Sequence, residues 1–87
     1  MKTYDREGFT KELILILAKM AEVAPATIAL TDDLREDIGL DSLQSMELLS
    51  RISEKWDVDV EMEDMIDVKT VKDVVDFMER LAKEQAA

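Results

Sequence analysis

Apolar residues recur at helical spacing in three separate stretches of the chain. In the first, Phe9, Leu13, Ile16, Leu17 and Met20 fall three and four apart, which predicts an amphipathic helix. Its centre, Leu13 to Leu17, is a continuous apolar run that a buried strand could also present, but the polar frame of Lys11, Glu12 and Lys19 favours helix. Ile14 or Leu15 must then face a loop or solvent. Gly8 weakens the turn before, so this helix is expected to settle in by Phe9 or Thr10. In the second stretch Leu43, Met46, Leu49 and Ile52 fall three apart, and Leu48, Ile52 and Trp56 four apart. Asp41 is its natural N-cap and Ser42 its first helical residue. The third stripe is Val71, Val74, Val75, Met78, Leu81 and Ala82, opened by Thr70 with Asp73 three residues on, the relation of a capping box.

Between these stretches the period lapses. From Glu22 to Leu40 no helical repeat is sustained, and Pro25 discourages helix at Ala24. Connections longer than about 12 to 15 residues are uncommon unless packed or functional, so Ile28, Leu34 and Ile38 are expected to pin this one onto the helices. From Asp57 to Val68 apolar and acidic residues alternate, yet no second strand exists to pair with them. Asp57 to Val60 reads as extended loop and Glu61 to Ile66 as a short helix or turn. The fold class is therefore all-α, a small bundle of three long helices plus one short one. With 87 residues it forms one domain over 1–87, with a core from about 9 to 84 and fraying at the Glu84 to Ala87 end.

Charge changes the picture next. The chain holds 11 Lys and Arg against 21 Asp and Glu, a net charge of -10, with no His and no Cys. Nucleic acid and anionic membrane surfaces are disfavoured as partners, and a basic protein surface is favoured. Without His or Cys there is no Ser-His-Asp or Cys-His catalysis, no disulfide and no usual zinc site. No catalytic residue and no bound metal are expected. No apolar run is long enough to span a bilayer and the first ten residues lack a signal-peptide pattern, so a monomer in the cytoplasm is the expectation. The charge is also unevenly placed. Residues 1–31, 42–56 and 69–87 are each neutral, and the whole excess lies in Asp32 to Asp41 and Asp57 to Val68. These two runs bracket the second helix. Either alone would be a solubilising loop, but together they suggest steering of basic partners toward that helix. An EF-hand reading of Asp57, Asp59 and Glu61 fails, because Met62 and Val68 stand where that loop needs Gly and Glu.

The residues between Gly39 and Leu48 are the most specific. A glycine turn, Gly39-Leu40-Asp41-Ser42-Leu43, delivers a serine onto the first turn of a helix that continues Met46-Glu47-Leu48. Asp41 and Ser42 alone would be ordinary helix starters. In a small acidic chain with three helical stretches, the motif resembles that of the acyl carrier protein family. The resemblance implies that 4'-phosphopantetheine, taken from coenzyme A, is attached to Ser42, with Gly39, Asp41 and Leu43 completing the motif. It implies a phosphopantetheinyl transferase acting with magnesium, with Asp41 helping at the metal-bound interface, and then acyl-transfer, ketosynthase or related enzymes as partners. The chain would be a carrier for fatty acid, polyketide or another specialised acyl pathway, not an enzyme.

The resemblance also implies docking through the second helix and its surroundings, here Gln44, Met46, Glu47, Arg51, Asp57, Asp59, Glu61, Glu63 and Asp64. Fatty acid carriers usually have an acid where Gln44 stands, and Arg51 and Lys55 interrupt the face, which favours a dedicated pathway. Six methionines and many aliphatic residues suit a core that repacks around a chain, and Met46, Leu49, Met62, Met65 and Ile66 are candidates to line an acyl pocket, although ordinary packing would explain them equally. Leu43 and Met46 are expected to meet a partner. An aminoacyl or D-alanyl carrier, and a non-enzymatic helical interaction module holding a partner helix in an apolar groove, remain open alternatives.

Overall fold

In the computed structural model, which describes residues 5–85, three helices carry the fold: α1 over Arg6–Ala21, α2 over Ser42–Trp56 and α3 over Val71–Gln85. Single 3-10 turns over Pro25–Thr27 and Met62–Met65 interrupt the two connections. The second falls within the expected short element, and the chain is all-helical as predicted. Of the end expected to fray, Glu84 and Gln85 are helical, and Ala86 and Ala87 lie outside the described residues. No helix among the described residues is long and apolar enough to cross a membrane.

α1 begins at Arg6, not at Phe9 or Thr10. The reason is a local cap: Asp5 is extended and its Oδ2 accepts from the Gly8 N–H at 3.1 Å. A Cβ on Gly8 would lie 3.0 Å from that oxygen, so the glycine that lowers helix propensity also makes room for the cap that starts the helix. α2 begins at Ser42 and α3 at Val71, as their cap residues predict. At α3 the box is reciprocal. Thr70 Oγ1 accepts from the Asp73 N–H at 3.1 Å, and Asp73 Oδ2 accepts from the N–H groups of Thr70 at 3.0 Å and Lys69 at 3.1 Å.

Each helix sends one face inward. Phe9, Leu13 and Leu17 come from α1, Leu48, Ile52 and Trp56 from α2, and the whole predicted stripe of α3 is buried together with Phe77. Leu15, not Ile14, takes the exposed position on α1. Trp56 is a core residue: its ring packs edge-on against Phe9, centroids 4.6 Å apart and planes at 62°. Ile28, Leu34 and Leu40 bury the long connection, with Ile38 half-buried beside them. The start of the α2 stripe does not join the core. Leu43 is 74% exposed and Met46 50%, so the apolar face of α2 is split between a buried half and an open half.

Candidate functional site

Gly39 has φ +88°, a left-handed conformation that a side chain disfavours, and this reverses the chain just before α2. Leu40 then plunges into the core and its N–H donates to the Leu34 carbonyl at 2.9 Å. With the turn anchored, Asp41 sits extended as N-cap. Its Oδ1 accepts from the Gln44 N–H at 2.8 Å while Gln44 Oε1 accepts from the Asp41 N–H at 3.2 Å. Asp41 and Gln44 thus complete the cap between them and leave the next side chain unused. That side chain is Ser42, exposed on the first turn, where free N–H groups and the helix dipole favour an attached anion. Its hydroxyl accepts one hydrogen bond, a long one of 3.4 Å from Arg35 Nη2.

The two acidic runs differ in a way the sequence does not disclose. In the first, most carboxylates are spent on their own backbone. Asp32 accepts from Ala29 N–H at 2.9 Å, Asp33 from Arg35 at 2.8 Å and Glu36 at 2.9 Å, and Asp37 from Asp33 at 2.7 Å. The N–H groups of Glu36 and Arg35, with the charges of Lys69 and Arg35, hold the Asp33 carboxyl below its ordinary range. In the second run Asp57, Asp59, Glu61, Glu63, Asp64 and Asp67 are all exposed, and Asp64 accepts from the backbone, the Glu61 N–H at 3.2 Å. Glu61 is pushed up, first by a side-chain hydrogen bond with Glu63, then by the charges of Glu63, Asp64 and Asp59. Such like-charge crowding is relieved when a cation arrives.

The outer part of α2 is electrically matched: Arg51 pairs with Glu47 at 2.9 Å and Lys55 reaches Glu12 of α1 at 2.9 Å. These exposed pairs contribute little to stability. Of the docking candidates, Gln44 is half-buried and engaged by the cap, Met46 is half open to solvent, and the acids at 57, 59, 61, 63 and 64 are all exposed in a run that holds no basic residue.

A cavity of about 590 Å³, with Arg35 and Ser45 on its wall, opens between the long connection, α2 and the segment before α3. Leu34, Leu48, Met65, Ile66 and Val68 line its apolar part, and Asp33, Arg35, Glu36, Ser45 and Lys69 its polar part. The sequence reading anticipates Met65 and Ile66. Met46 and Leu49 do not line it, because α2 presents Ser45 and Leu48 there instead, and the Met62 side chain lies outside the described residues. Leu34 and Leu48 carry only a core signal in sequence, and Val68 none, since the wall exists only once three distant segments meet. A free serine hydroxyl, an adjacent guanidinium and a cavity within the usual range for small ligands suit a phosphate-linked arm at this position.

Similarity to known proteins agrees with that chemistry. Residues 11–78 match the family model described as phosphopantetheine attachment site. An acyl carrier protein of Phaeodactylum tricornutum is 31% identical over 86% of this chain and 97% of its own length. A stretch of a non-reducing polyketide synthase of Aspergillus terreus is 36% identical over 72% of this chain, which is 2% of that enzyme. In structure, a Mycobacterium tuberculosis chain assigned as an acyl carrier protein superposes with TM-score 0.70 at 24% identity, covering 82% of this chain and 96% of that one, and has the same fold.

Proposed function

This chain belongs to the phosphopantetheine attachment-site family, that of the acyl carrier proteins, and from that premise we propose that Ser42 bears the covalent 4'-phosphopantetheine. The observation that carries the assignment is the exposed Ser42 hydroxyl, left free by the Asp41 and Gln44 cap and faced by Arg35. In the attachment reaction Ser42 Oγ attacks the phosphorus that coenzyme A bears on its pantetheine side. The Oγ–P bond forms as the bond from phosphorus to the adenosine bisphosphate oxygen breaks, and that nucleotide leaves with the electron pair. The serine proton goes to a base of the transferase, since Arg35, the side chain that contacts the hydroxyl, is only a donor. Asp41, one residue before Ser42, is available to the magnesium that the transferase brings.

When bound, the arm supplies the thiol that a chain without cysteine lacks, and acyl groups ride on it as thioesters. What this chain contributes is delivery and shelter. A tethered cargo meets successive active sites at high effective concentration, and the cavity lined by Leu34, Leu48, Met65, Ile66 and Val68 can cover an acyl chain between visits. Catalysis belongs to the partners: a phosphopantetheinyl transferase, then acyl-transfer or ketosynthase enzymes with basic docking surfaces, meeting a monomeric carrier in the cytoplasm. Gln44, a neutral residue used for capping, supports a dedicated acyl pathway over general fatty acid synthesis.

The test is the intact mass of the protein after incubation with coenzyme A, magnesium and a broad-specificity phosphopantetheinyl transferase. Wild type should gain one phosphopantetheine and Ser42→Ala none. Gain in the mutant would move the attachment point elsewhere.

A further inference from the structure

We infer that Arg35 holds the phosphodiester at Ser42 and thereby fixes the root of the arm at the mouth of the cavity. The inference rests on Ser42 being the attachment point. Arg35 Nη2 already lies 3.4 Å from Ser42 Oγ. A phosphorus bonded to that oxygen brings two non-bridging oxygens, which share one negative charge, within reach of a guanidinium whose paired N–H donors match them. What is a long contact to a neutral hydroxyl becomes a charge-assisted one.

The surroundings of Arg35 support this. It is the lone cation among five acids from Asp32 to Asp41, yet it makes no ion pair within 4.0 Å among the described residues. The carboxylates that would capture it accept backbone N–H groups instead: Asp32 from Ala29, Asp33 from Arg35 and Glu36, Asp37 from Asp33, Asp41 from Gln44. The loop thus keeps a guanidinium uncommitted beside the serine. The same residue lines the cavity together with Ser45 and Leu48. A clamp there directs the first bonds of the arm toward the apolar walls and away from open solvent.

The experiment uses the phosphopantetheine-loaded protein in wild-type, Arg35→Gln and Arg35→Lys forms, with Ser42→Ala as the attachment control. Intact mass establishes loading first; a wild type that gains no mass, or a Ser42→Ala protein that does, overturns the attachment reading and this inference with it. In loaded samples the 31P resonance of wild type should be displaced from that of Arg35→Gln and move toward it as salt is raised, with Arg35→Lys between them. The Arg35 Nε–H resonance should shift on loading of wild type. Identical 31P positions in loaded wild type and Arg35→Gln, or an Arg35 resonance indifferent to loading, would overturn the clamp while leaving Ser42 as the attachment point.

Discussion

Asp33 and Thr70 face each other as an isolated antiparallel bridge, with the Leu34 N–H on the Lys69 carbonyl at 2.8 Å and the Val71 N–H on the Asp32 carbonyl at 3.0 Å. The Lys72 N–H donates to the Leu30 carbonyl at 2.9 Å in the same seam. Two of the otherwise unpaired N–H groups at the start of α3 are therefore satisfied by the loop that carries Arg35 and leads to Ser42. The loop is part of the cap of α3, and the two cavity walls on either side of this seam are one unit.

Loss of the α3 cap should then be felt across the seam. Asp73→Ala removes the acceptor of the Lys69 and Thr70 N–H groups and should cost about 1 kcal/mol. Hydrogen exchange should accelerate at Leu34 as well as at Val71. Faster exchange confined to α3 would show that loop and helix open independently.

Acid stability should pass through a maximum. Asp33 is held below its ordinary value of 3.8 by the N–H groups of Glu36 and Arg35, Asp73 by those of Thr70 and Lys69, and Asp76 by the side chains of Lys72 and Arg6. A carboxyl with a folded pKa below its unfolded one stabilises fully above the unfolded value, and that contribution is lost as pH falls through the folded one. Glu61 has the opposite sign: raised from 4.5 chiefly by Glu63, it binds its proton more readily in the folded chain, so stability grows as pH falls through its raised value. Urea midpoints should rise slightly as pH falls toward 4.5 and should decline below 3.8. Glu61→Gln should remove the rise and Asp33→Asn should soften the fall; a decline that begins at neutrality would contradict both assignments.

The Phe9–Trp56 contact joins α1 to the end of α2 through two buried rings. Truncating either to Ala should cost about 3 to 5 kcal/mol, a large share of the ~5 to 15 kcal/mol typical of a whole domain. The milder pair Phe9→Leu and Trp56→Leu allows a double-mutant cycle, in which a coupling of about 0.5 to 1.5 kcal/mol is expected. In the Phe9→Leu protein, fluorescence of the one tryptophan should remain blue-shifted if the ring keeps its buried site.

Capping and attachment at the start of α2 can be separated because they use neighbouring side chains. Asp41→Asn retains an oxygen for the Gln44 N–H and should leave stability nearly unchanged, whereas Asp41→Ala should lose about 1 kcal/mol. Ser42→Ala gives up only the 3.4 Å contact with Arg35 and should unfold like wild type. If the Asp41 carboxylate also serves the transferase, Asp41→Asn will be stable but slow to accept the arm. A transfer rate equal to wild type would confine Asp41 to its cap.

How much of this was readable beforehand follows the range of the interaction involved. The starts of α2 and α3 were legible because a cap is written in adjacent residues, Asp41 with Gln44 and Thr70 with Asp73. The start of α1 is not legible, because in sequence Gly8 reads as a weak helix former, and the room it leaves for the Asp5 carboxylate exists only in three dimensions. The α3 stripe was legible from its period alone, and in the α2 stripe Leu43 and Met46 are open to solvent, in keeping with the partner contact expected of them, while Leu48, Ile52 and Trp56 are buried. The Arg35 contact with Ser42 and the cavity wall at Leu34 and Val68 depend on how a long irregular loop folds back, which no local pattern encodes.

The open face at Leu43 and Met46 and the acidic run after α2 make separable contributions to docking. Asp57, Asp59, Glu61, Glu63, Asp64 and Asp67 are exposed, and their attraction for a basic enzyme acts before contact, over a Debye length of roughly 8 to 10 Å at physiological salt. Reversing several of them to Lys should slow association with the transferase strongly at low salt and little at high salt, with dissociation nearly unchanged. Leu43 and Met46 act only once surfaces touch. Leu43→Ser should leave the salt dependence of association intact and speed dissociation, and it should not destabilise the carrier because the side chain is 74% exposed. Lowering the pH toward the raised pKa of Glu61 should mimic a mild form of the charge reversal, since the group is neutral below that value. Stopped-flow measurements on the two variants across salt and pH resolve the contributions; equal effects of both on association would mean that the acids are part of the contact and not a field that precedes it.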